Sequence, residues 1–347
     1  MPNYSILHKQ DIFITEKYEP DIRRDELSFL SRSFERHFNE RPYLHHTCYL
    51  FLTKTTKERS RQQSNWNTLC RGFLVPKEIR DKETVERFME AVGQFESIVN
   101  DSGLIRLERL TTEEITGTEN EPGIIERYLT LSADGTTMLQ DMQLNPDEMR
   151  IGDKRLCLHT LSDLDYLPGK VRTDGRYERL STDRSECRLS YAAPVGVMLP
   201  CDHIYNQWIF IDDSNENLSR FEKMAKNMQS LSRYSRSNQI NKEWLDEYLN
   251  EAHSNGLQSV RCHCNIIAWA ENGDELRRVK NDVGSGLALM ECTPHHNTTD
   301  LPALYWAGIP GNEADFPAEE TFYTFTGQAL CFFTAETCYR NSLSPFG

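Results

Sequence analysis

A chain of 347 residues with 39 basic and 53 acidic side chains carries a formal net charge of −14, which argues against a protein that coats nucleic acid by neutralising phosphate. Hydrophobic residues make up 38% and aromatics 10%, enough for a core and too much aromatic content for intrinsic disorder. No apolar run approaches the roughly 20 residues of a membrane-spanning helix, and the first residues do not show the basic-then-apolar pattern of a signal peptide. The ten cysteines, scattered through a charged chain, are expected to be reduced thiols of a cytosol rather than a disulfide framework. Charge is uneven along the chain: net +4 over residues 1–80, −10 over 81–150, +1 over 151–240 and −9 over 241–347.

In chain order, Tyr4 to Thr15 reads as a strand. Leu27, Leu30, Phe34 and Phe38 mark one face of a helix that ends before Pro42. Thr47 to Leu52 is almost wholly apolar, as a buried strand would be, and the polar stretch 54–69 reads as an exposed loop or frayed helix. Asp81 then offers an N-cap to a helix whose stripe is Val85, Phe88, Val92, Phe95 and Val99, with Gly103 just past its end. Leu104 to Leu110 is expected to be a strand, followed by an acidic region with turns at Glu121-Pro122-Gly123 and Ala133-Asp134-Gly135.

Short strands are expected at Arg155–Thr160, Glu186–Tyr191 and Val195–Leu199, and a stronger one at 204–211. Asp213 and Glu216 have capping-box spacing, and Leu218, Phe221, Ala225 and Met228 form the stripe of the helix after them. A second helix spans Asn241–His253 and stops near Gly256. Val260–Ala270 reads as a strand, Asp274–Met290 and Asp300–Gly308 as helices, and Leu330–Thr334 as a short strand. The expected fold class is α+β, with mixed sheets and flanking amphipathic helices. Two subdomains, 1–150 and 151–347, are expected to meet in the turn-rich region 133–175.

Few motifs carry chemistry. No stretch fits the G-x-x-x-x-G-K-[ST] phosphate cradle, and no G-x-S-x-G, H-E-x-x-H or C-x-x-C is present. Gly284-Ser285-Gly286 starts like a dinucleotide fingerprint, but Leu289 holds its sixth position and the run lies inside a helical pattern. Cys262 and Cys264 alternate in a strand with Val260, Ile266 and Ala268 on one face, while Arg261, His263 and Asn265 point to the other. That places the thiols in a core and not in a four-ligand zinc site. His45-His46 and His295-His296 are the histidine pairs that an unrecognised enzyme would use.

Two features suggest contact surfaces. Over 214–236, Arg220, Lys223 and Lys226 lie opposite the apolar stripe, and Arg233 and Arg236 extend the charge; an acidic partner or nucleic acid would fit such a face. Pro310-Gly311-Asn312 concentrates turn chemistry after a helix, since Pro fixes φ, Gly permits positive φ and Asn tolerates left-handed geometry.

Six stretches also resemble one family: Asn3–Asp11, Phe29–Pro42, Cys48–Arg59, Asn227–Trp244, Trp306–Asn312 and Ser342–Gly347. Together they resemble the N-terminal half of TraG-type ATPases of conjugative transposons, within the ATPase family that energises type IV secretion and conjugation. The resemblance extends over essentially the whole chain. Family members begin some tens of residues before the equivalent of Tyr4 and continue past the equivalent of Gly347 into a RecA-like domain with the P-loop. A piece of a longer protein, with no RecA-like domain of its own, is therefore implied.

The family's nucleotide-binding residues match no position here, so no catalytic, cofactor-binding or metal residue is carried over. ATP and Mg are implied only for the C-terminal domain. Implied partners are inner-membrane components of the conjugation channel, the protein's own C-terminal ATPase domain and further copies in a homo-oligomer, at the cytoplasmic face of a bacterial inner membrane. A nucleic-acid-binding accessory of the transfer machinery, using the basic helix 214–236, is the alternative.

Overall fold

In the computed structural model, residues 1–17, 29–38, 42–60, 81–132, 140–145, 148–171, 175–178, 181–231 and 235–336 are described. Leu27, most of the polar stretch 54–69, the turn at Ala133-Asp134-Gly135, Arg233 and the Ser342–Gly347 stretch lie outside the described residues. The elements in chain order begin with β1 (Ser5–Lys17), α1 (Phe29–Phe38), β2 (Pro42–Lys54), α2 (Lys57–Ser60), α3 (Lys82–Asp101), α4 (Thr112–Thr116) and α5 (Ile124–Thr130). They continue with β3 (Met142–Leu144), β4 (Met149–Ile151), β5 (Lys154–Leu161), β6 (His203–Ile211), α6 (Ser214–Leu231) and α7 (Arg236–Asn255). The last are β7 (Ser259–Ala270), α8 (Gly273–Leu289), α9 (Leu301–Ala307), β8 (Phe322–Phe325) and α10 (Thr326–Leu330).

The fold is α+β. Its strands form one sheet in the order β2-β1-β6-β7-β5-β4-β3, with β8 also paired to β7. Each of these pairings is antiparallel, so the mixed sheets expected are, among the described residues, a single antiparallel one. Strands from either side of residue 150 share it, with β1 lying between β2 and β6. β5 pairs with Cys264–Ala270 and β8 with Ser259–Cys262, both opposite β6, so they divide one edge of β7 between them.

Helices cover both sheet faces, which makes the central strands buried on each side. On one face, Leu276, Val279, Val283 and Leu287 of α8 pack against Tyr205, Ile209, Cys262, Cys264 and Ile266. On the other, Tyr128 of α5 and Leu304, Tyr305 and Ala307 of α9 meet Ile204, Trp208, Phe210, Ile267 and Trp269. The hairpin of α6 and α7 closes a smaller core of Leu218, Phe221, Ala225, Leu249 and Ala252 with Phe325. Gly256, at φ +61°, ends α7 in the left-handed conformation its sequence signals. No helix among the described residues is long and apolar enough to cross a membrane.

Several expected elements are corrected. Leu104–Leu110 forms no strand; Leu104 is 88% exposed, so its apolar residues find no sheet to join. Val195–Leu199 is a buried 3-10 turn (Ala193–Val195) and bend, because Pro194 and Gly196 interrupt extended pairing. Glu186–Tyr191 contributes only an isolated bridge from Arg188. Leu330–Thr334 lies in the end of α10 and a turn, and the strand of that region is β8. The basic helix expected over 214–236 is two elements: α6 is described as far as Leu231, and Arg236 opens a separate helix after Ser235, whose backbone is extended.

Candidate functional site

Polar residues at alternating positions of β1, β6 and β7 form a hydrogen-bonded row inside the second sheet face. His8 and Gln10 of β1, Asn206 of β6, and His263 and Asn265 of β7 are all fully buried. Gln10 Nε2 donates to Asn206 Oδ1 at 3.0 Å, and His8 Nε2 meets the same oxygen at 3.0 Å. Asn206 Nδ2 donates to Asn265 Oδ1 at 3.0 Å, and Asn265 Nδ2 in turn reaches His263 Nε2 at 3.0 Å. With Nε2 accepting, His263 donates from Nδ1 to the Glu320 carbonyl at 2.5 Å. Burial pushes His263 down to about 3, against the raising effect of that carbonyl, so it is a neutral imidazole held by geometry.

The row ends at the Pro310-Gly311-Asn312 turn. Gln10 Nε2 also donates to the Gly308 carbonyl at 3.0 Å. Glu313, with no exposure, accepts from Thr53 Oγ1 at 3.0 Å and from the Gly311 N–H at 3.2 Å, and lies 3.8 Å from His8 Nδ1. Gly311 adopts φ +96°, a conformation that leaves its N–H turned to Glu313 and that a side chain would strain. Two residues beyond Glu313, Arg59 of α2 grips Asp315 through Nη2 at 2.5 Å. Three of the stretches that carry the family resemblance, around residues 3–11, 48–59 and 306–312, are thus fastened to one another.

A second polar cluster occupies the opposite face. Asp11, fully buried, accepts from His46 Nε2 at 2.9 Å, from Gln207 Nε2 at 3.0 Å and from Thr334 Oγ1 at 2.8 Å, and pairs with the Lys9 ammonium. Burial would raise its carboxyl, but the His46 hydrogen bond and the Lys9 charge outweigh that and hold it well below the usual carboxylate range. The remaining acceptor capacity is consumed within the fold, so the group is built to fix strands together.

Of the residues singled out in the sequence, Arg220, Lys223, Lys226 and Arg236 are exposed. The Arg220 guanidinium stands 5.5 Å from the centre of the Tyr323 ring and donates to its hydroxyl at 3.2 Å, which ties it to β8. The histidine pairs do not converge. His46 serves Asp11, His45 lies 3.8 Å from Glu16, His295 stacks on Tyr166 and His296 packs edge-on to His159. Among the described residues no group of three or more His, Cys, Asp or Glu side chains could hold a metal ion. Cys262 and Cys264 are buried in the first core, and burial raises the Cys264 thiol well above its ordinary value, so it is a packing group.

Sequence reasoning missed His8, Gln10, Asn206, Asn265 and Glu313. The available signal was polar residues two apart within apolar strands, His8/Gln10 and His263/Asn265, repeated across strands. The chain matches no protein-family model and no curated protein.

Proposed function

We propose that this chain is the docking and assembly region of a TraG-type conjugation ATPase, a part that binds other proteins of a type IV secretion channel and performs no chemistry itself. The observation that carries this reading is α3. Its stripe has the spacing of a helix packed on a core, yet none of its twenty residues is buried, and Val85, Met89 and Ile98 are exposed, Ile98 by 71%. Phe95 of the stripe packs against the first core, and the apolar flank that carries Val85, Met89 and Ile98 stays open, which suits a protein partner. The sequence resemblance supplies which partners: inner-membrane channel components, the C-terminal ATPase domain and further copies, at the cytoplasmic face of the inner membrane. The fastening of the resembling stretches into one assembly is consistent with a shared architecture.

The test is capture of inner-membrane subunits of a conjugation channel from detergent-solubilised membranes, together with conjugation frequency in a complemented deletion strain. Val85→Asp, Met89→Asp and Ile98→Asp lie on exposed positions and should leave circular dichroism unchanged. The reading expects them to abolish capture and transfer. Undiminished capture, or transfer that does not need the chain, would overturn it. A nucleic-acid accessory is the second reading, favoured by Lys223 and Lys226, which are exposed one turn apart on α6. It requires salt-dependent DNA binding that weakens on Lys223→Glu.

A further inference from the structure

Arg127, the fourth residue of α5, lines a small cavity of about 80 Å³ whose walls include Ile12, Ile14, Ile204, Trp269, Tyr128 and Leu131. Its Nε is buried and has no hydrogen-bond partner, and the guanidinium enters no ion pair among the described residues. The one carboxylate in the same lining, Glu16, is engaged elsewhere. It accepts from the Tyr43 hydroxyl at 2.8 Å and lies 3.8 Å from His45 Nδ1. Arg127 is half-buried, and its buried Nε left without a partner costs about 1–3 kcal/mol. Yet the guanidinium fork is the group best shaped to take a carboxylate through two parallel hydrogen bonds.

The cavity also limits the size of the body that such a carboxylate can carry. At about 80 Å³ it has roughly half the room of a 150 Å³ apolar cavity that admits benzene. A branched body of about four or five heavy atoms fits that volume. We propose that this cavity binds a small carboxylate with a branched apolar body, the carboxylate on Arg127 and the aliphatic end against Ile204 and Trp269. The chemistry is shared by a free branched short-chain acid and by the C-terminal residue of a polypeptide ending in leucine. Such binding is independent of the docking function and survives or fails without it.

The experiment is titration of the intact chain, monitored by the Trp269 indole NMR signal and by thermal melting. Four probes separate the contributions: isovalerate, isopentanol with the same body and no charge, acetate with the charge and no body, and N-acetyl-leucine. The expected result is saturable binding of isovalerate or N-acetyl-leucine. Isopentanol and acetate should bind at least about tenfold more weakly, the worth of one charge-assisted contact. Tighter binding of N-acetyl-leucine assigns the site to a polypeptide end, and tighter binding of isovalerate to a free acid. Arg127→Gln should lose about tenfold or more in affinity, with Arg127→Lys in between. Equal binding of isopentanol, equal binding by Arg127→Gln, or no saturable response from either acid would overturn the proposal. The probe comparison on the unaltered chain decides the matter even if the variants fold poorly.

Discussion

Gln10 on β1 donates one amide hydrogen bond to Asn206 Oδ1 and another to the carbonyl of Gly308, both at 3.0 Å, joining the sheet interior to the turn that carries Pro310, Gly311 and Asn312. Both acceptors are far along the chain, so Gln10 ties regions that only the finished fold brings together. Gln10→Ala should therefore destabilise by about 2–4 kcal/mol, combining unpaired buried acceptors with a cavity. Chemical denaturation measures the loss. A change below about 0.5 kcal/mol, the range of ordinary surface substitutions, would show that the row does not hold the turn.

Arg261 and Asp212 form a two-pronged buried pair, Nε to Oδ2 at 2.6 Å and Nη2 to Oδ1 at 3.3 Å, with the guanidinium 4.9 Å from the centre of the Phe210 ring. Removing one partner takes from the other its two-pronged counter-charge in the interior. Arg261→Ala should cost about 3–5 kcal/mol, and the double change Arg261→Met with Asp212→Leu distinctly less than the sum of its singles. A thermodynamic cycle on the four proteins checks this, and strict additivity would contradict it.

Three buried histidines make stability depend on pH. Burial pushes His159 down to about 3, His203 to about 4 and His263 to about 3. Each takes up a proton in the unfolded chain below about 6.5 but resists it in the fold. The unfolded state then binds more protons, so their contribution is fully present above about 6.5 and is lost as pH falls from there toward the folded values. Denaturation at pH 7.5, 6 and 5 should show steadily falling stability. His159→Asn should shallow that slope, and a flat profile would mean these side chains gain protons in the fold.

The sequence made most elements legible because their signals were local: the α3 stripe and its Asp81 cap, the Gly256 stop, the apolar runs of β6 and β7. What it concealed was set by partners far away. Arg261, His263 and Asn265 were legible only as the face of β7 opposite the thiols, since alternation predicts two faces but not that both are covered. Val195 looked like a strand residue because it is apolar, yet it is buried in a turn under α8. Glu313 had no local mark at all, and its role depends on Thr53 and His8, which only pairing of β1 with β2 places nearby. The basic run through Arg236 broke for a local reason, the extended backbone of Ser235, which charge counting overlooks.

Gly284 and Gly286 give the most discriminating test of why α8 carries the start of a dinucleotide fingerprint. Both sit inside the helix, where replacing Gly by Ala ordinarily stabilises by up to about 1 kcal/mol. A Cβ on Gly284 would meet nothing nearer than Pro294 Cβ at 3.9 Å, so that gain should be realised. A Cβ on Gly286 would lie 2.8 Å from the Pro194 carbonyl oxygen and 3.4 Å from Val195 Cγ1, and backbone cannot swing aside as a side-chain tip can. Either α8 or the Ala193–Val195 turn must shift, disturbing the packing of Val283 and Leu287 in the first core. Overpacking of this kind costs about 1–3 kcal/mol, which exceeds the helix gain and reverses the sign. Gly284→Ala should thus raise the melting temperature and Gly286→Ala lower it. Two increases would mean that Gly286 is not there for close approach to Pro194.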